Sequence, residues 1–105
     1  MIENSKINEI VDKIALNFNP DKIFLFGSYA SGRPNRDSDL DLLIIQNSNL
    51  PRHRRVLEIR KSLIGNMIPL DIIVYTPEEF ESEKDNRFSF INHAIKTSKL
   101  LYERI

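Results

Sequence analysis

Apolar residues at Ile7, Ile10, Val11, Ile14 and Phe18 recur at steps of three, one, three and four. That spacing lays one apolar stripe along a helix. Asn4 or Ser5 supplies a cap, and Asn19-Pro20 ends the helix. The run Ile23-Phe24-Leu25-Phe26 is too short for a helix and is bounded by Pro20 and Gly27, which predicts a buried strand. Tyr29 to Gly32 reads as one helical turn and Arg33 to Ser38 as a polar loop. Leu40 to Ile45 is a second strand, followed by a loop from Gln46 to Pro51. Val56, Ile59 and Leu63 mark the buried stripe of a helix over Arg52 to Ile64, stopped by Gly65-Asn66. Leu70 to Val74 is a third strand.

Thr76-Pro77-Glu78-Glu79 then has the layout of a helix start. Threonine caps, proline takes the first turn, and the glutamate three places on closes a capping box. The last helix is expected over Phe88 to Thr97, with Phe88, Ile91, Ala94 and Ile95 on one face. Lys99 to Glu103 is read as a fourth strand. Helices alternating with strands favour a sheet covered by helices, in the α/β or α+β class.

The 105 residues fit a single domain, 1–105, able to bury one modest core. Fifteen basic and fifteen acidic residues give zero formal net charge, so strong direct binding to nucleic acid is not expected. The absence of cysteine excludes disulfides, thiolate metal sites and thiol catalysis. No apolar run approaches the ~20 residues of a membrane span, and the first residues lack a secretory layout. The expected location is therefore the cytoplasm, with no membrane contact.

Against this ordinary background the carboxylates stand out. Side chains alternate along a strand, so Asp39 and Asp41 share one face while Leu40, Leu42 and Ile44 share the other. Two residues along a strand span ~6.6 Å, a separation at which both carboxylates reach a cation set between them. Asp71 lies within the apolar run Pro69 to Val74 and can join them if the two strands are neighbours. Three oxygen donors without histidine or cysteine suit Mg²⁺ or Mn²⁺. A pair of such ions ~4 Å apart organises an in-line phosphoryl displacement. Ten residues before Asp39 stands Gly27-Ser28. The glycine lets backbone approach a phosphate closely, and the serine hydroxyl can donate to a phosphate oxygen. Arg33 and Arg36 add positive charge in the loop between. Alone, a Gly-Ser pair is usually a turn and an Asp-x-Asp usually solvated; the combination carries the reading.

The stretch GSYASGRPNRDSDLDLLII resembles the signature of polymerase-beta-like nucleotidyltransferases, most closely the minimal nucleotidyltransferase (MNT) family, over essentially the whole chain. The resemblance implies a small mixed sheet of about four strands flanked by helices. It implies that Gly27, Ser28 and Arg33 hold a nucleoside triphosphate, that Asp39, Asp41 and Asp71 ligate two Mg²⁺ ions, and that Asp71 is a candidate base. Where the family shows an arginine two or three places after the serine, this chain has Ala30 and Ser31, and Arg33 supplies the cation. The short chain implies that another protein presents the acceptor. MNT proteins pair with HEPN-type ribonuclease toxins, so the expected reaction is transfer of AMP from ATP to a toxin tyrosine, with the chain acting as antitoxin. The alternatives are a non-catalytic antitoxin that works by occlusion, and a nucleotidyltransferase for small molecules such as antibiotics. Arg52, His53, Arg54 and Arg55 read as a solvated helix face, or as a docking patch for an acidic partner or toxin-held RNA. His53 and His93 have no ligand spacing, and Tyr29 is read as a packing residue or a base-stacking one.

Overall fold

The computed structural model describes residues 2–105. The elements alternate as expected: α1 (Asn4–Phe18), β1 (Lys22–Phe26), α2 (Ser28–Ser31), β2 (Leu40–Ile45), α3 (Arg52–Ser62), β3 (Leu70–Tyr75), α4 (Pro77–Glu83), α5 (Phe90–Thr97) and β4 (Lys99–Glu103). The strands form one mixed sheet in the order β3-β2-β1-β4. β1 runs antiparallel to both β2 and β4, whereas β2 and β3 are parallel. A parallel pair needs a crossover between its strands, and α3 provides it.

Strand alternation sends apolar side chains to both faces, and each face has its own core. Ile23, Leu25, Leu40, Leu42, Ile44, Ile72 and Val74 pack against the stripe of α1 and against Ile59 and Leu63 near the end of α3. Phe24, Phe26, Leu43, Ile45 and Tyr75 face the other way, onto Phe80 of α4 and Ile91 of α5. Phe24 and Phe80 stack with ring centroids 5.8 Å apart. Because β1 opposes β2, its C-terminal end lies beside the N-terminal ends of β2 and β3. The glycine-serine turn and the aspartates therefore meet at one end of the sheet.

Two local expectations are corrected. Glu3, not Asn4 or Ser5, occupies the cap of α1, and no side chain caps it. Phe88 lies outside the last helix and is 83% exposed. Ser89 caps α5 instead, accepting from the Asn92 N–H at 3.1 Å, and the Asn86 side chain accepts from the Phe88 N–H in a turn just before it. The serine followed three places later by a polar residue was the sequence signal for that start. The other features follow the sequence closely. Asn19 takes the left-handed conformation that ends α1. The capping box of α4 forms in full, Thr76 accepting from the Glu79 N–H and Glu79 accepting from the Thr76 N–H.

The basic cluster divides. His53 and Arg54 are exposed, but Arg52 and Arg55 hold α3 and α4 to β3. The Arg52 guanidinium sits 3.9 Å from the ring centre of Tyr75. Arg55, with only 9% of its side chain exposed, meets both carboxylate oxygens of Glu79 at 2.6 and 3.2 Å. It also donates to the carbonyls of Leu50 and Val74. The Arg55 hydrogen bonds hold the Glu79 carboxyl down at about 2. A depressed carboxyl adds stability that is present above pH ~4.5 and is lost as pH falls toward 2. Arg55→Ala strands these acceptors and should cost about 1–2 kcal/mol, read as a lower midpoint in urea; an unchanged midpoint would mean that water replaces the arginine at no cost.

Candidate active site

β2 begins at Leu40, so Asp39 lies just before the strand and Asp41 is its second residue. Asp41 is the register partner of Asp71 on β3 and of Phe26 on β1. Partners in register point to the same side of a sheet. Asp41 and Asp71 thus share the face of Phe26, Leu43 and Ile73, at the end that α4 and α5 leave open. Asp41 is half-buried, while Asp39 and Asp71 are exposed.

Burial, and then the charges of Asp71 and Asp39, push the Asp41 carboxyl up to about 6. Each of these influences raises it, so no cation among the described residues offsets the local negative charge. Among the described residues no three His, Cys, Asp or Glu side chains form a closed metal cage. Asp41 and Asp71 stand in register at one end of the sheet, and Asp39 lies just before the strand that carries Asp41.

Gly27 is fixed there by two constraints. Its φ of 73° and ψ of −155° belong to a region that only glycine enters easily. A methyl group built on it would also overlap the Asp41 Oδ2 and come 3.1 Å from the Cγ. The turn and the half-buried carboxylate therefore pack directly on one another. Ser28 opens α2, where the Gly27 carbonyl accepts from the N–H groups of Ala30 and Ser31.

The structure sorts the remaining sequence candidates. Arg33 is exposed just beyond α2, its N–H donating to the Ser28 carbonyl at 3.0 Å. Arg36 lines an open cavity of about 440 Å³ with Lys6, Tyr29, Ser38 and Ile68. Tyr29 and Ile68 belong to the α1-side core, so this cavity lies on the α1 side of the same sheet end, where it reaches Ser38 beside Asp39 and Pro69 near Asp71. Tyr29 is a packing residue, and its hydroxyl accepts from the Ile2 N–H at 2.9 Å. His53 and His93 are exposed on α3 and α5, away from the aspartates in sequence. One neighbour of the aspartates had no functional reading from sequence. Phe26 carries the ring of Phe90 edge-on, with centroids 5.6 Å apart. The aromatic residues at 26 and 90 were visible, but nothing in their spacing revealed that they meet.

The fold has solved counterparts. One is the crystal structure of a candidate nucleotidyltransferase from Sulfolobus solfataricus, which superposes with a TM-score of 0.67 at 23% identity over 95% of this chain and 79% of that one. At that identity the likeness speaks for the fold alone. No curated protein matches the chain. Residues 5–97 match the family described as the nucleotidyltransferase domain, a span that takes in the turn, all three aspartates and all five helices in full or nearly so. On that match the chain belongs to the nucleotidyltransferase domain family.

Proposed function

We propose that the protein transfers a nucleoside monophosphate, AMP from ATP, to a hydroxyl group on a partner protein. The observation that carries the reading is the meeting at one sheet end of Asp41, its register partner Asp71 and the Gly27 turn, which packs so closely on Asp41 that an added methyl would overlap its carboxylate. The donor set there is carboxylate and hydroxyl oxygen only, which fits a hard divalent ion that brings its own water and substrate phosphates. Asp39, Asp41 and Asp71 would hold Mg²⁺, which supplies charge neutralisation for the phosphates and polarises the reacting phosphorus.

The chain's own groups have separable tasks. Gly27 admits the phosphates close to the backbone, Ser28 donates to them, and the exposed Arg33 balances their charge. The acceptor oxygen bonds to the α-phosphorus, the bond from that phosphorus to the bridging oxygen breaks, and pyrophosphate leaves. The acceptor's proton passes to Asp71, whose exposure lets an incoming side chain approach. The resemblance to MNT proteins supports a HEPN-type toxin as partner and a tyrosine as acceptor, with the chain as antitoxin.

The test is direct. The protein is incubated with its HEPN partner, Mg²⁺ and each of the four labelled nucleotides. Label should pass from ATP to the partner, and the pair Asp39→Ala and Asp41→Ala should abolish it. No labelling with any nucleotide, with both proteins folded, overturns the proposal. If the double variant still neutralises the toxin, the mechanism is occlusion rather than transfer.

A further inference from the structure

The segment from Asp85 to Phe90 links α4 to α5 and carries two phenylalanines to the open end of the sheet. Singly exposed apolar residues need no explanation, but apolar surface gathered beside a cluster of polar groups marks a binding site. Phe90 is 45% exposed, and its inner edge rests on Phe26. Phe26 directly precedes Gly27 and is the cross-strand partner of Asp41. The adjacent Cα atoms of Phe26 and Gly27 are ~3.8 Å apart. A ring held against Phe26 therefore stands beside the phosphate turn, on the carboxylate face. Phe88, two residues before Phe90, is 83% exposed, with the Arg87 guanidinium 5.1 Å from its ring centre.

Two occupants suit aromatic rings and a cation, namely a planar base and an apolar side chain of a protein. Position favours the base. A nucleoside is short, so a base tethered through its ribose to phosphates at Gly27-Ser28 falls within reach of a ring that rests on Phe26, the residue next to the turn. The large cavity bounded by Arg36 and Tyr29 is the competing site, but it opens on the other face of the sheet. We infer that Phe90, propped by Phe26 and extended by Phe88, is the stacking surface for the nucleobase of the donor nucleotide. The inference rests on the proposed triphosphate site. Stacking is tolerant of base identity, because every base has a π face. The surface accordingly adds affinity for nucleotides over bare phosphate chains, without selecting adenine.

The experiment compares ATP with inorganic tripolyphosphate, each with Mg²⁺, by titration calorimetry on the intact protein. Phe90→Ala should weaken ATP binding about tenfold and leave tripolyphosphate binding unchanged, while Phe90→Trp should restore ATP. Phe88→Ala guards against misfolding, since that side chain lies outside both cores, and should show a smaller loss of the same kind. Equal ATP affinity in wild type and both alanine variants overturns the inference. So does an equal loss for ATP and tripolyphosphate in a folded variant, or loss of partner binding with ATP affinity intact. Wild-type protein that binds neither ligand would instead count against the triphosphate site itself.

Discussion

Asp41→Asn is expected to lower nucleotidyl transfer about a thousandfold and, at pH 7, to raise the melting temperature. The two effects have one cause. Asp41 is the most enclosed of the three aspartates, and its ionised form is opposed by burial, Asp71 and Asp39. The folded chain holds the proton up to about pH 6, whereas an unfolded chain releases it near 3.8. Ionisation thus costs the folded state nothing below pH ~4, a growing amount between ~4 and ~6, and the full amount above. Solvent at the open end screens the charges, so the full cost is on the order of 1 kcal/mol, worth about 4–8 °C in a domain of this size. Asparagine keeps the shape and removes the charge. Melting curves at pH 4 and pH 7 should therefore differ for the wild type and coincide more closely for the variant. Mg²⁺ with ATP should stabilise the wild type more than the variant. A variant that melts lower than wild type at pH 7 would show that the Asp41 charge is already compensated.

Gly27→Ala is the second large effect, and it acts on the backbone. The added methyl meets two penalties, a backbone region closed to alanine and overlap with the Asp41 carboxylate. Together they should cost about 3 kcal/mol, lowering the melting temperature by roughly 10 °C or more. Activity should fall with it, because the carboxylate and the turn cannot both keep their places. Gly32→Ala is the control. Gly32 also has positive φ, at 78°, but a methyl there meets nothing within 4 Å. Only the backbone cost of about 1–2 kcal/mol remains. Similar losses at both positions would mean that the contact with Asp41 contributes little.

Much of this was legible in the sequence, for physical reasons. Apolar runs bounded by glycine and proline located the strands, because a buried strand needs only local hydrophobicity and a clear stop. Thr76-Pro77-Glu78-Glu79 fixed a helix start to the residue, since every partner in a capping box lies within three positions. Asp39 and Asp41 could be grouped because side chains alternate along a strand, and Gly27-Ser28 joined them only through its combination with Asp-x-Asp. What stayed hidden was tertiary. Arg52 and Arg55 looked like a solvated stretch, yet they reach Tyr75 and Glu79, residues more than twenty positions away. Phe88 fitted a helical stripe by spacing, but Ser89 offered a stronger start and left it outside. The cap of α1 failed for a related reason, since Asn4 and Ser5 are good caps that the helix simply passes through.

The parallel pairing of β2 with β3 also bears on the order in which the molecule assembles. Asp41 and Asp71 are thirty positions apart and separated by the whole of α3. β1 and β2 can find one another early, through a shorter connection, and bring Gly27-Ser28 to Asp41 with no third carboxylate present. Closing the longer loop costs chain entropy before its contacts form, so the docking of β3 is the slower event. Leu42 with Ile72 and Ile44 with Val74 draw that strand in, and the repulsion between Asp41 and Asp71 is met only as they pair. A chain with β3 still undocked would hold Gly27-Ser28 beside Asp41 without Asp71.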